Sequence, residues 1–191
     1  EITEGMIVAE VANQHAIANI ALQGAHIATF QPRGEEPVIW LSQLAKFVPG
    51  KSIRGGVPIC WPWFGPHATD SKLPGHGYAR TVMWDIMETK ALPDGSTFLR
   101  FGLIESDTTR AQWPHTCSVQ LEATVGKSLR VELVTHNSGN AAFQLGEALH
   151  TYLHISDVGN ITIRGLENCA YLDKVKDFGR FKQQNGIVIE S

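Results

Sequence analysis

"TCSVQLEATVGKSLRVELVTHN", residues 116–137, is the stretch that decides the fold class. Two runs rich in β-branched residues are joined by "VGK", turn chemistry suited to a hairpin. Working upstream, runs of the same kind recur at 16–22 ("AIANIAL"), 25–30 ("AHIATF"), 81–90 ("TVMWDIMETK") and 97–106 ("TFLRFGLIES"), with "QG" and "PDG" as further turns. The pattern predicts an antiparallel, all-β architecture. The longest helical pattern spans no more than about two turns, over "PVIWLSQLA" at 37–45. No internal repeat and no low-complexity linker divides the chain, so residues 1–191 are read as one domain.

The segment 47–80 breaks this rhythm. Rich in Gly, Pro and Trp, it carries Pro49, Pro58, Pro62, Pro66 and Pro74, each of which removes a backbone donor from any ladder. It is expected to be a long ordered loop system. Such a loop either builds a binding surface or plugs one end of a sandwich with Trp and Pro, and composition alone leaves both open.

With 191 residues, 43% of them hydrophobic, the chain can fill a core. A net charge of −3 with 18% charged residues supplies no basic field for nucleic acid, so an anion would have to be held by a few placed arginines. No apolar run approaches the roughly 20 residues needed to cross a bilayer. Cys60, Cys117 and Cys169 are odd in number and far apart, which argues against a disulfide framework and a cysteine zinc site and suggests a reducing cytoplasm. The start, "EITEGMIVAEV", lacks the basic and apolar regions of a signal peptide, and "GIVIES" at the end stops within a strand-like alternation. Truncation is expected at that end.

Three stretches can carry chemistry. If "AFQLGEALHTYLHIS" at 142–156 is a strand, Gln144, Gly146, Ala148, His150, Tyr152 and His154 share one face, opposite Phe143, Leu145, Leu149, Leu153 and Ile155. That polar face suits the floor of a cleft, where an imidazole can move a proton near neutrality, or the wet side of an edge strand. His150 and His154 lie roughly 13 Å apart along such a strand, too far for one metal ion. In "IRGG" (53–56) and "LPGHGYAR" (73–80), Arg54 and Arg80 present forks that fit phosphate oxygens, with glycines beside them that admit backbone N–H groups. Each arginine can equally pair with a surface carboxylate. His76, flanked by glycines, can reach into a pocket or simply occupy a turn.

Taken together, "IRGGVPICWPWFGPH", "LPGHGYAR", "LHTYLHISD" and "GLENCAYLDKV", in that order from 53 to 175, resemble the aldose 1-epimerase (mutarotase) family, in its hexose-6-phosphate branch. The resemblance implies a large antiparallel β-sandwich of the galactose mutarotase type, the supersandwich. It also implies cofactor-free, metal-free interconversion of the α and β anomers of a hexose 6-phosphate such as glucose 6-phosphate. By motif, His150 is the implied catalytic histidine, His76 the second, Arg54 and Arg80 the phosphate ligands, and Asp173 a sugar-hydroxyl ligand. The implied partner is a small sugar phosphate, with neither nucleic acid nor membrane. The family's general base is a glutamate well beyond the "HTY" motif, which this stretch does not match: Glu190 lies too early and Glu147 falls on the wrong face. The base is therefore unassigned, and the 191 residues alone are expected to turn over little. Two further readings remain open: a non-catalytic carbohydrate-binding module with Trp61, Trp63 and Tyr152 stacked on sugar, and a mutarotase for an unphosphorylated aldose such as galactose.

Overall fold

The computed structural model describes residues 5–189. They form two compact units, one running to His154 and one beginning at Ile155.

In the first unit, strands β1 (Val8–Ala12), β2 (Ala16–Ala21) and β3 (His26–Pro32) make an antiparallel three-stranded sheet in chain order. The Asn13 side chain fixes the first turn by accepting from the N–H groups of His15 and Ala16 at 2.9 and 3.0 Å. A two-residue strand, β4 (Ile59–Cys60), interrupts the long loop system that follows. Four consecutive strands, β5 (Trp84–Ala91), β6 (Thr97–Leu103), β7 (Cys117–Val125) and β8 (Leu129–Asn137), then form an antiparallel meander. Last comes β9 (Ala148–Leu149), paired with β4.

Period-two patterning explains why the two larger sheets meet. On β7, Val119, Leu121, Ala123 and Val125 are buried while Ser118 is exposed and Gln120, Glu122 and Thr124 are only partly covered. These apolar side chains share one core with Ala16, Ala18 and Ile20 of β2, with Ile27 and Phe30 of β3, and with Leu99 and Phe101 of β6. Burying each large member contributes roughly 1.5–3 kcal/mol, so the apolar faces of the two sheets are driven together. The all-β, antiparallel expectation holds.

Two local expectations do not. Residues 37–45 are not helical; the Trp40 N–H donates to the Tyr152 carbonyl at 2.9 Å and its own carbonyl accepts from Gly56 N–H at 2.8 Å. Cross-chain partners have taken the backbone groups that a helix would use. Nor is 142–156 one continuous strand, since only Ala148–Leu149 belong to a ladder. Even so, the N–H groups of His150, Tyr152 and His154 donate in turn to the carbonyls of Pro58, Gly56 and Val38 at 3.0, 2.9 and 2.8 Å. Donors at every second residue toward one side keep the segment extended.

Sequence reading missed β1 and the helix α1 (Asp107–Gln112) between β6 and β7. Ser106 caps α1 in a reciprocal box with Thr109, and a serine before a six-residue helix is too short a signal to notice. The second unit contains β10 (Thr162–Ile163), β11 (Ala170–Asp173), β12 (Gly179–Lys182) and β13 (Ile187–Val188). There β10 pairs with β13 and β11 with β12, both antiparallel. No helix among the described residues is long and apolar enough to cross a membrane.

Candidate active site

The loop system over 53–80 is pinned by its aromatic residues. Trp61 is 1% exposed and donates its indole N–H to Thr135 Oγ1 at 3.1 Å; Trp63, 8% exposed, donates to the Pro74 carbonyl at 2.9 Å. Tyr78 packs edge-on against both rings, and its burial pushes the phenol pKa up. These indoles are structural bolts, so the expectation that Trp61 and Trp63 offer flat platforms to sugar is overturned by their burial. Tyr152 does remain exposed, tilted against Trp40 with centroids 5.9 Å apart.

The pinned loop delivers His76. Its backbone lies in the left-handed region (φ 67°), its N–H donates to the Gly65 carbonyl at 2.7 Å, and its Nδ1 accepts from Gly65 N–H at 3.2 Å. An accepting Nδ1 places the proton of the neutral ring on Nε2, making His76 a donor at its far edge. Gly77 next to it (φ 71°) leaves no room for a Cβ, which would run into the Trp61 carbonyl.

His150 arrives on the extended segment that pairs with 56–60. Its ring is stacked with Tyr152 (centroids 5.0 Å, 26°) and with Phe64 (6.4 Å, 26°). It meets His76 edge to face at 6.2 Å and 85°. Phe64 also contacts His76, at 4.9 Å. Two imidazoles 74 positions apart in sequence thus converge on an exposed aromatic surface.

Arg80 belongs to the same wall. Its Nη2 donates to the carbonyl of Gly75, the residue before His76, at 2.8 Å, while its Nε is buried without a partner. The guanidinium also reaches the Cys60 thiol electrostatically, opposing the upward pKa shift that burial imposes there. Arg54 is exposed, and its carbonyl accepts from Ser42 N–H at 3.2 Å. Among the described residues neither arginine has a carboxylate at ion-pair distance; the pairs engage Arg100, Arg110, Arg130 and Lys176 instead. Among the described residues, then, no surface ion pair engages either arginine.

Asp173 lies in the second unit, at the end of β11. Its carboxylate accepts from Val175 N–H at 3.0 Å and stands 3.8 Å from Lys176 Nζ.

One residue that sequence reading passed over is His26. It opens β3, is 1% exposed, and lies against Gly56. Burial lowers its pKa to about 4, against a smaller upward pull from the Gly55 backbone. The only signal in the sequence is an imidazole placed between Ala25 and Ile27 in the mostly apolar run "GAHIATF".

Residues 8–189 match the family model described as Aldose 1-epimerase. The chain belongs to the aldose 1-epimerase family. Among its relatives, a protein of Escherichia coli K12 named "Putative glucose-6-phosphate 1-epimerase" is 41% identical over 160 residues, covering 84% of this chain and 52% of the relative. One of the same name from Cenchrus ciliaris is 33% identical over 187 residues, covering 93% and 56%. The crystal structure of the Salmonella typhimurium mutarotase YeaD, called "putative" in its description, superposes with a TM-score of 0.90 at 36% identity, covering 98% of this chain and 61% of that one. The galactose mutarotase-like sandwich is therefore the fold. The chain spans about half the length of the curated relatives it matches.

Proposed function

We propose that this chain carries the acid and phosphate-binding half of a hexose-6-phosphate mutarotase site, with glucose 6-phosphate as substrate. The observation that carries the reading is the edge-to-face pair of His76 and His150, 6.2 Å apart, beside an arginine bonded to the residue preceding His76. In the reaction, a base removes the proton of the C1 hydroxyl while His150 gives its proton to the ring oxygen. The C1–O5 bond breaks to leave the open aldehyde, C1 rotates about C1–C2, and closure on the other face returns both protons. His76, with its donor edge on Nε2, steadies the ring oxygen as charge develops. Each positioned proton donor or acceptor is worth roughly 10²- to 10⁴-fold in rate.

Arg54 and Arg80 take the phosphate. The absence of a carboxylate beside either, among the described residues, leaves their charge available for a dianion. Asp173 is assigned to a sugar hydroxyl on its motif. A reducing cytoplasm suits the three free cysteines.

Titration by NMR, reading the imidazole protons of His76 and His150, tests the assignment. Glucose 6-phosphate is expected to shift both, and Arg54→Ala to weaken it about tenfold or more while leaving glucose unchanged, in line with loss of a charge-assisted fork. His150→Ala should keep that binding within about twofold and remove any anomer exchange faster than buffer. Equal losses for both sugars would make Arg54 structural, and unimpaired exchange in His150→Ala would overturn the catalytic role.

A further inference from the structure

We infer that His26 is a positioning residue of this site, setting the Gly55–Gly56 turn and through it both Arg54 and the His150–Tyr152 segment. The inference takes the site as assigned under the proposed function and adds a residue that never touches the sugar.

The turn is held from three sides. On one, Arg54 and Gly56 bracket a bridge to Leu41: Ser42 N–H donates to the Arg54 carbonyl at 3.2 Å and Gly56 N–H to the Trp40 carbonyl at 2.8 Å. A Cβ on Gly55 would lie 2.7 Å from that same Trp40 carbonyl oxygen. On the second side, the Gly56 carbonyl accepts from Tyr152 N–H at 2.9 Å, two residues from His150, whose own N–H is held by Pro58 at 3.0 Å. The third side is β3, where Val57 N–H donates to the Ile27 carbonyl at 2.9 Å and the His26 ring fills the space beneath Gly56. A Cβ on Gly56 would overlap His26 Nε2, so ring and backbone are in direct contact with nothing between them. Gly55 and Gly56 both have positive φ, 98° and 70°, which only this close approach and the tight turn explain.

An imidazole is an expensive choice for such a place. Its Nε2 is buried without a hydrogen-bond partner, flanked on β3 by fully buried Ile27 and Ala28. A leucine would fill similar space without a stranded polar atom, and for folding alone it is the better residue. What leucine lacks is a ring N–H to engage the Gly55 backbone, together with the Nε2 and Cδ2 atoms that lie against Gly56. The turn so fixed leaves the backbone of Arg54 one residue away and the aromatic segment one hydrogen bond away.

The experiment compares His26→Leu with His26→Gln, which keeps an N–H donor, on the full 191-residue chain. Without ligand, His26→Leu is expected to shift the imidazole resonances of His150 and the ring resonances of Tyr152 while the indole N–H of Trp84, on β5, stays in place. His26→Gln should restore them toward wild type. With glucose 6-phosphate as the probe, the dissociation constant should rise about tenfold in His26→Leu and recover to within about threefold in His26→Gln, the loss expected from a small displacement of binding groups. Native shifts for His150 and Tyr152 in a folded His26→Leu, or a glutamine variant no better than leucine, overturn the inference. Should His26→Leu fail to fold, the wild type decides through its own His26 resonance. Movement in step with saturation by glucose 6-phosphate supports the coupling, and a stationary His26 refutes it. If the wild type binds no sugar phosphate, the functional reading fails while the ligand-free comparison still judges His26.

Discussion

The β7–β8 hairpin and the loop wall over 53–80 bury their side chains by opposite means. In the hairpin, nine residue pairs from Cys117↔Asn137 to Val125↔Leu129 run in unbroken register, and each buried side chain on β7 repeats the environment of the one two residues away. Its order is distributed. In the wall, order depends on single positions: Trp61 and Trp63 each make one indole hydrogen bond, and Gly55, Gly56 and Gly77 pass where no side chain fits. A ladder tolerates loss of any one rung, whereas a set of unique contacts does not. Rigidity without periodicity is what a site needs, because periodic strands cannot bring His76 and His150 edge to face.

The sharpest way to break that contrast is Gly77→Ala. The new methyl would meet the Trp61 carbonyl and lie 2.8 Å from the Pro62 nitrogen, both backbone, and φ at 71° is strained for alanine. Strain of about 1–3 kcal/mol and overpacking of similar size add, so a loss of about 3–5 kcal/mol is expected on chemical denaturation. A variant within about 1 kcal/mol of wild type would show that the wall is looser than its contacts imply.

The same contrast explains what could be read from the sequence. Six of the strands were legible because β-branched runs between turn residues report on themselves. The Gly- and Pro-rich stretch was legible as a loop system, and its motifs led to Arg54, His76 and Arg80 as "LHTYLH" led to His150; all four lie in one compact unit. The burial of Trp61 and Trp63 was not legible, since a tryptophan in a loop looks the same whether it faces sugar or Thr135. Residues 37–45 mimicked a helix because apolar spacing says nothing about where backbone donors go, and here they go to Tyr152 and neighbouring loops. His26 was invisible for a related reason: its importance comes from Gly56, thirty positions away.

A pH titration sharpens the comparison next. The buried His26 holds a pKa of about 4, against about 6.5 when unfolded, so the unfolded chain binds a proton that the native state refuses. Its stabilisation is complete above about pH 6.5 and declines as pH falls toward 4. The full window is worth about 3 kcal/mol, with a slope approaching one proton. Stability followed from pH 7.5 to 4 should show this decline in the wild type and lose that slope in His26→Leu. A slope unchanged by the substitution would mean that the ring is already charged, or wet, in the native state.

The smallest effect should come from the sheet region, at the cap of α1. Ser106 accepts from Thr109 N–H at 3.2 Å and Thr109 Oγ1 accepts from Ser106 N–H at 2.8 Å. Ser106→Ala removes one half of that exchange and should cost about 1 kcal/mol, as helix caps commonly do. Because the helix merely links β6 to β7, the imidazole resonances of His76 and His150 should stay where they are. Movement of those resonances would show that the sheets and the wall are coupled through this connection, and that the division between distributed and singular order is drawn in the wrong place.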